Sequence, residues 1–282
     1  MQSGAAGADR KENTVILIAG VGADSKCSGG ESGKKENCGR NETVDALKKS
    51  LQNEFPDCEV RGIFTGGRDR LAAVRATVLE RATADGTGNL IVQPLCLMDG
   101  YKYMELAKLL EDCKEKFNRV TLGRPLLSSD ADFTAVAKAI TEKTTDYSDG
   151  ETAICFVGHG TEAASNIVYR KMQEVLWNAG YENYYIGTIK AAPALSEVTE
   201  MLRRKGMYRR VVLAPFMVAA GIHARGDIAG EGACSWKSVL QREGYDVTYI
   251  SGGLGETPAV RDLFVKHAGE AFTAISSDSL WD

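Results

Sequence analysis

Apolar residues fall along this chain in two alternating rhythms. The apolar run at residues 14–20 (TVILIAG) predicts a strand covered on both faces, because a strand with no solvent face needs no polar alternation, and further strands are predicted at 59–64, 89–98 (NLIVQPLCLM) and 119–126. Between them, residues 41–54 carry Val44, Leu47 and Leu51 at helical spacing, and further helices are predicted over 68–84, 103–117 and 132–144. A short polar piece, 147–151, follows, and the same order begins again. Strands at 152–157 (TAICFV), 184–189, 211–218 and 247–251 alternate with helices at 165–179, 194–205, 235–243 and 258–274. Strand and helix in strict alternation imply parallel sheets.

The second half repeats the first. TVILIAGVG parallels TAICFVGHG, so Val21 stands where His159 stands, and NLIVQPLCLMDGYK parallels RVVLAPFMVAAGIH, so Lys102 stands where His223 stands. The expected fold is α/β: two similar domains, each a four-stranded parallel sheet flanked by helices, with a cleft between them. The N-terminal domain would span 14–146, with an insertion at 27–40, and the C-terminal domain 147–282. Residues 1–13 read as a polar, flexible leader.

The stretch 211–236 carries the strongest chemical signal. A buried strand runs into Gly221 and then Ile222-His223-Ala224-Arg225-Gly226-Asp227, read as a turn that places an imidazole, a guanidinium and a carboxylate beyond the strand's C-terminal end. In open α/β sheets that edge is where ligands bind. His159, in GHGT, lies in the same kind of place, with Gly158 and Gly160 leaving its backbone accessible. The chain has only three histidines; His267, inside a helical pattern, reads as structural.

Composition narrows the choice. With 282 residues, 44% hydrophobic and 26% charged, the chain suits two globular domains, and a net charge of -4 argues against a nucleic-acid partner. No apolar run reaches membrane-spanning length. The seven cysteines form no CxxC pair. Cys58 and Cys155 read as core residues, whereas Cys27 and Cys38 bracket a polar insertion and are either a disulfide, if the protein is exported, or two free thiols. A cytoplasmic location is the simpler reading and export the alternative; a homo-oligomer stays open. There is no GxSxG elbow, and the Gly-rich segment after the first strand matches neither GxxxxGK[ST] nor GxGxxG, so no nucleotide is expected. Two neutral imidazoles near one site suit a borderline metal ion or the removal of a proton from nitrogen.

FVGHGT at 156–161, APFMVAAGIHARGDIAGE at 214–231, SWK at 235–237 and GLGETPAVRDLFVKH at 253–267 closely resemble the anaerobic sirohydrochlorin cobaltochelatases of the CbiK type, class II chelatases related in fold to ferrochelatase. VQPLCLMDGYKY at 92–103 and VTLGRPLLSS at 120–129 extend the resemblance into the first half. It implies ATP-independent insertion of a divalent metal, cobalt before iron or nickel, into a tetrapyrrole for cobalamin-type cofactor synthesis. The metal-site and catalytic histidines would be His159 and His223. Gly158, Gly160, Thr161, Lys102, Lys190 and Arg225 would contact the macrocycle.

The sequence also departs from that pattern. Lysine replaces the usual glutamate at Lys102 and again at Lys190, Ile222 replaces an aspartate, and Cys96 a histidine. A unit charge roughly 6 Å from a dication contributes on the order of 5 kcal/mol at an effective dielectric near 20, so these exchanges bear on metal affinity. They raise an alternative: a protein that binds sirohydrochlorin or haem, or removes metal from a macrocycle, on the same fold. An ordinary small-molecule binder is a third reading, against which the GHGT and GIHARGD loops argue.

Overall fold

The computed structural model describes residues 14–22, 39–66, 70–83 and 88–276. In chain order these form β1 (Thr14–Gly22), α1 (Gly39–Glu54), β2 (Glu59–Gly66), α2 (Arg70–Thr83), β3 (Asn89–Pro94), α3 (Tyr101–Cys113), β4 (Arg119–Leu122), α4 (Asp130–Lys143), β5 (Thr152–Gly158), α5 (Ile167–Asn178), β6 (Tyr184–Thr188), α6 (Leu195–Lys205), β7 (Arg210–Pro215), α7 (Ile222–Ala229), α8 (Trp236–Arg242), β8 (Asp246–Tyr249) and α9 (Pro258–Ser276). Two four-stranded parallel sheets result, in the orders β2-β1-β3-β4 and β6-β5-β7-β8. The expected α/β architecture is therefore present, and both sheets share one topology.

The internal repeat extends to the register. Thr14 of β1 pairs with Asn89 of β3, and Thr152 of β5 pairs with Arg210 of β7. Lys102 and His223 stand the same number of residues beyond those partners. Past the strands the match continues: Leu95 N–H donates to the Ala19 carbonyl as Phe216 N–H donates to that of Val157. Leu126 and Leu127 bond Cys96 and Leu97 as Leu254 and Gly255 bond Met217 and Val218. This is also why β3 and β7 end sooner than predicted. Their apolar runs leave the ladder after Pro94 and Pro215 and bond to other loops instead.

The chain divides into two compact units. The first holds β1 to β4, α1 from Asn41 on, α2, α3 and most of α9, since it takes residues 41–128 and 261–282. Its core is built on Leu17, Leu90 and Val92 against Val74, Val78, Leu106 and Leu110. The second takes residues 129–260, and its core is built on Cys155, Val157, Leu213 and Tyr185 against Val198, Leu202, Trp236 and Leu240.

The division differs from the expected one at 146/147, because α4 and α9 are exchanged. Helix α4, predicted to close the first half, packs in the second unit. Thr144 Oγ1 lies 2.8 Å from Tyr184 Oη, and the Lys171 ammonium sits 2.6 Å from Asp130 and 4.4 Å from the centre of the Phe133 ring. Helix α9 instead serves the first unit. Arg119 donates to the Ile275 carbonyl at 2.9 Å, Arg124 makes a forked pair with Glu270 at 2.9 and 2.5 Å, and Phe55 stacks on Phe272 at 5.3 Å.

His267 is fully buried in α9, as a structural residue should be. Cys58 and Cys155 are buried, also as expected, while Cys27 and Cys38 lie outside the described residues. Among the described residues, no helix is long and apolar enough to cross a membrane.

Candidate functional site

Parallel strands deliver their following loops to one edge, so the exits of neighbouring β5, β6 and β7 meet. Three backbone bonds tie them together. Ile189 N–H donates to the Gly158 carbonyl at 2.9 Å, Lys190 N–H to the His159 carbonyl at 3.0 Å, and Phe216 N–H to the Val157 carbonyl at 2.8 Å. His159 and Lys190 are thus neighbours, and both are exposed.

The GHGT turn depends on its glycines. Gly160 has φ +76°, the left-handed region that favours glycine, and a Cβ there would lie 2.8 Å from the Ala191 nitrogen and 2.9 Å from Thr188 Cβ. At Gly158 a Cβ would run into the Tyr169 ring. Tyr169, buried in α5, has its hydroxyl 3.3 Å from Gly160 N–H and accepts that bond. Burial pushes the Tyr169 phenol up from its ordinary range, so it stays neutral, while the bonds from Gly160 and His159 N–H act the other way. Beneath it, Phe216 meets Tyr169 edge-on at 6.1 Å and Phe156 at 6.3 Å, a firm apolar floor for the turn.

This geometry selects a tautomer. His159 Nδ1 lies 3.0 Å from the carbonyl oxygen of Gly160, which only accepts, so Nδ1 carries the hydrogen. In the neutral ring Nε2 is then the nitrogen with an available lone pair, able to take a proton or bind a metal.

His223 is the second residue of α7, and this corrects the expectation of a turn: Gly221 is an extended N-cap, φ -96°, and the helix runs to Ala229. The loop leading to it is braced where Leu254 and Gly255 N–H bond the Met217 and Val218 carbonyls. Arg225 and Asp227 are exposed on the same helix. Burial raises the Tyr249 phenol, the Arg225 charge opposes that rise and Glu256 adds to it, which places Arg225 within electrostatic reach of Tyr249.

Thr161 is committed to the turn. Its N–H donates to Asn166 Oδ1 at 3.0 Å, and its Oγ1 accepts from Ala163 N–H at 3.2 Å. Seven of the expected site residues, Gly158, His159, Gly160, Thr161, Lys190, His223 and Arg225, therefore belong to the second unit. Among the described residues no group of three or more His, Cys, Asp and Glu side chains that could hold a metal ion is gathered.

Lys102 belongs to the first unit. It is the exposed second residue of α3, behind the extended N-cap Gly100, and so occupies in its repeat the place His223 occupies in α7. Burial pushes the Cys96 thiol up to about 11, against the lowering influence of Lys102, so Cys96 is protonated at neutral pH. Sequence reasoning missed Tyr169, Thr188 and Asn166, whose side chains hold the loops. Tyr169 carries only the helical period of a core residue, and the other two are polar residues at the ends of a predicted helix and a predicted strand, with nothing in the pattern to show which loops they bond.

A family model described as cobalt chelatase (CbiK) matches residues 32–273. Among curated relatives, a sirohydrochlorin cobaltochelatase of Salmonella typhimurium is 27% identical over 245 residues, covering 84% of this chain and 91% of that one. A sirohydrochlorin cobaltochelatase, CbiKC, of Nitratidesulfovibrio vulgaris is 26% identical over 270 residues, 92% of this chain and 91% of the relative. Among solved structures, SirB from Bacillus subtilis with Fe3+ superposes with a TM-score of 0.64 at 14% identity, over 96% of this chain and 100% of that one. At such identity the likeness concerns the fold.

Proposed function

Because the chain belongs to the cobalt chelatase (CbiK) family, we propose that it is a metal chelatase that inserts Co2+ into a sirohydrochlorin-type tetrapyrrole. The observation that carries this reading is the GHGT turn, in which the Nδ1–H···O=C bond to Gly160 leaves His159 Nε2 as a base beside the strand exit that leads to His223.

Insertion exchanges two pyrrole N–H bonds for metal–nitrogen bonds. Two protons leave as a dication enters, so the macrocycle's net charge is unchanged and no nucleotide enters the balance. What the protein must supply is a proton acceptor near the ring nitrogens and a way to bring the metal there. His159 Nε2 takes the first role, and His223 is its partner in accepting a proton or presenting the metal. Neutral imidazole suits both tasks, since one lone pair serves proton and borderline cation alike.

Lys190, joined to His159 through the backbone, and Arg225 on α7 are cations suited to the carboxylates around a sirohydrochlorin-type ring. The same Lys190 charge opposes tight holding of a free dication. That suits a metal that passes through as substrate, released to the ring rather than stored.

The test is an absorbance titration of the protein with sirohydrochlorin, with and without Co2+, repeated with haem. Rapid conversion to the cobalt-macrocycle spectrum on adding Co2+ supports insertion. Binding spectra without conversion, and tighter binding of haem, would replace this reading with capture of a finished tetrapyrrole.

A further inference from the structure

Asn166 immediately precedes α5, a place where asparagine ordinarily accepts an N–H from the first turn of its own helix. Here its side chain makes no such bond. It spans two loops instead: Oδ1 accepts from Thr161 N–H at 3.0 Å, and Nδ2 donates to the Ala192 carbonyl at 2.7 Å. The amide orientation is fixed by chemistry, because one partner only donates and the other only accepts.

The two loops are those that carry His159 and Lys190. They touch through backbone bonds at Ile189 and Lys190, and Thr188 Oγ1 bonds both the carbonyl of Ala191, at 2.5 Å, and its N–H, at 3.1 Å. The Asn166 side chain bonds both sides. On the His159 side it holds Thr161, two residues from the imidazole and next to Gly160, whose carbonyl fixes the tautomer.

We infer that Asn166 is a positioning residue for metal insertion: it clamps the β5 and β6 exit loops together and thereby holds His159 Nε2 where it accepts the pyrrole proton. The inference rests on the proposed chelatase reading. Without the clamp the Thr161 amide loses its acceptor, and the GHGT turn is left held by the Tyr169 hydroxyl and the Ile189 and Lys190 backbone bonds. The Lys190 loop keeps its other bonds, Lys190 N–H to the His159 carbonyl and Thr188 Oγ1 to Ala191, and Arg225 on α7 is untouched.

That predicts a split between binding and turnover. Asn166→Ala, assayed by Co2+-dependent spectral conversion of sirohydrochlorin, should lower kcat roughly 10- to 100-fold with KM within about twofold, the size expected when a reacting group is displaced by about 1 Å. A kcat within about twofold of wild type, or kcat and KM changing together, would overturn the inference. Circular dichroism checks folding. If the alanine variant does not fold, Asn166→Asp carries the test, because it keeps the acceptor for Thr161 N–H and loses the donor to Ala192. It should then show a several-fold lower kcat at unchanged KM, and wild-type kcat would count against the clamp. Failure of the chelatase reading looks different: the wild-type protein itself would bind sirohydrochlorin and leave it unconverted on adding Co2+.

Discussion

Replacing Gly160 by alanine tests how the site is built. The residue has φ +76°, and an ordinary side chain there costs about 1–2 kcal/mol before any contact is counted. The new Cβ would also lie 2.8 Å from the Ala191 nitrogen, 2.9 Å from Ala191 Cβ and 2.9 Å from Thr188 Cβ. Carbon contacts are comfortable only near 3.5–4.0 Å, roughly an ångström farther out. Those neighbours have little freedom: Ala191 N–H bonds Thr188 Oγ1 at 3.1 Å, and Lys190 N–H bonds the His159 carbonyl at 3.0 Å. Relieving the overlap means parting the two loops, an overpacking cost of about 1–3 kcal/mol.

Gly150 supplies the control. It has φ +82° with nothing within 4 Å of a built Cβ, so Gly150→Ala bears the backbone cost alone. The effect of alanine on the unfolded chain is common to both variants and cancels in the comparison. Urea denaturation of the two proteins should therefore place Gly160→Ala about 1–3 kcal/mol below Gly150→Ala at equal m-values. Only Gly160→Ala should also slow metallation, since it moves the carbonyl that holds His159 Nδ1. Equal stabilities, or a Gly160→Ala protein as active as wild type, would refute the view that these loops form one packed unit around His159.

Other consequences can be checked independently. Gln173, buried in α5, accepts from Ile186 N–H at 2.7 Å and donates to the Tyr184 carbonyl at 2.8 Å, capping the outward edge of β6. Gln173→Leu leaves the Ile186 amide unpaired and should cost about 1–3 kcal/mol in chemical denaturation. The Cys96 thiol, raised from 9.0 to about 11 by burial, should resist alkylation at pH 9 while exposed Cys234 reacts. Because the folded protein keeps that proton longer than the unfolded chain, the stability it contributes is complete below about pH 9 and lost as pH rises through about 11. The stability difference between wild type and Cys96→Ala, measured by denaturation across that window, should shrink as pH rises. Lys190→Glu reverses a charge beside His159. At a separation of roughly 8 Å and an effective dielectric of about 40, the two-unit change of charge against a dication gains on the order of 4 kcal/mol, read in calorimetry as roughly 100-fold or more tighter Co2+ binding.

Much of this architecture can be read from the residues, for identifiable reasons. A strand buried on both faces leaves an unbroken apolar run, so β1, β3, β5 and β7 are plain in TVILIAG, NLIVQP, TAICFV and VVLAP. The internal repeat was legible too, and the pairings of Thr14 with Asn89 and Thr152 with Arg210 reproduce its offsets. The exchange of α4 and α9 was not. An apolar stripe on a helix says that it covers something, not which sheet, and the contacts of Arg124 with Glu270 and of Thr144 with Tyr184 are invisible in a linear pattern. Helix α7 was hidden because IHARGDIA mixes small, charged and apolar residues without a clear helical face, and it contains Gly226. Asn166 was hidden for another reason. It falls within the helix predicted over 165–179, and only the geometry reveals that it precedes α5 and that its bonds go to Thr161 and Ala192.

The central claim is that this protein inserts metal using the histidines at the exits of β5 and β7. The most direct measurement is the initial rate at which sirohydrochlorin converts to its cobalt form, wild type beside His223→Ala, with both proteins shown to be folded. Wild type should convert the macrocycle rapidly and the variant should lose roughly 100-fold or more in rate, the range removed with a general acid–base group. A variant as fast as wild type would contradict it, and so would a wild-type protein that binds the macrocycle and never metallates it.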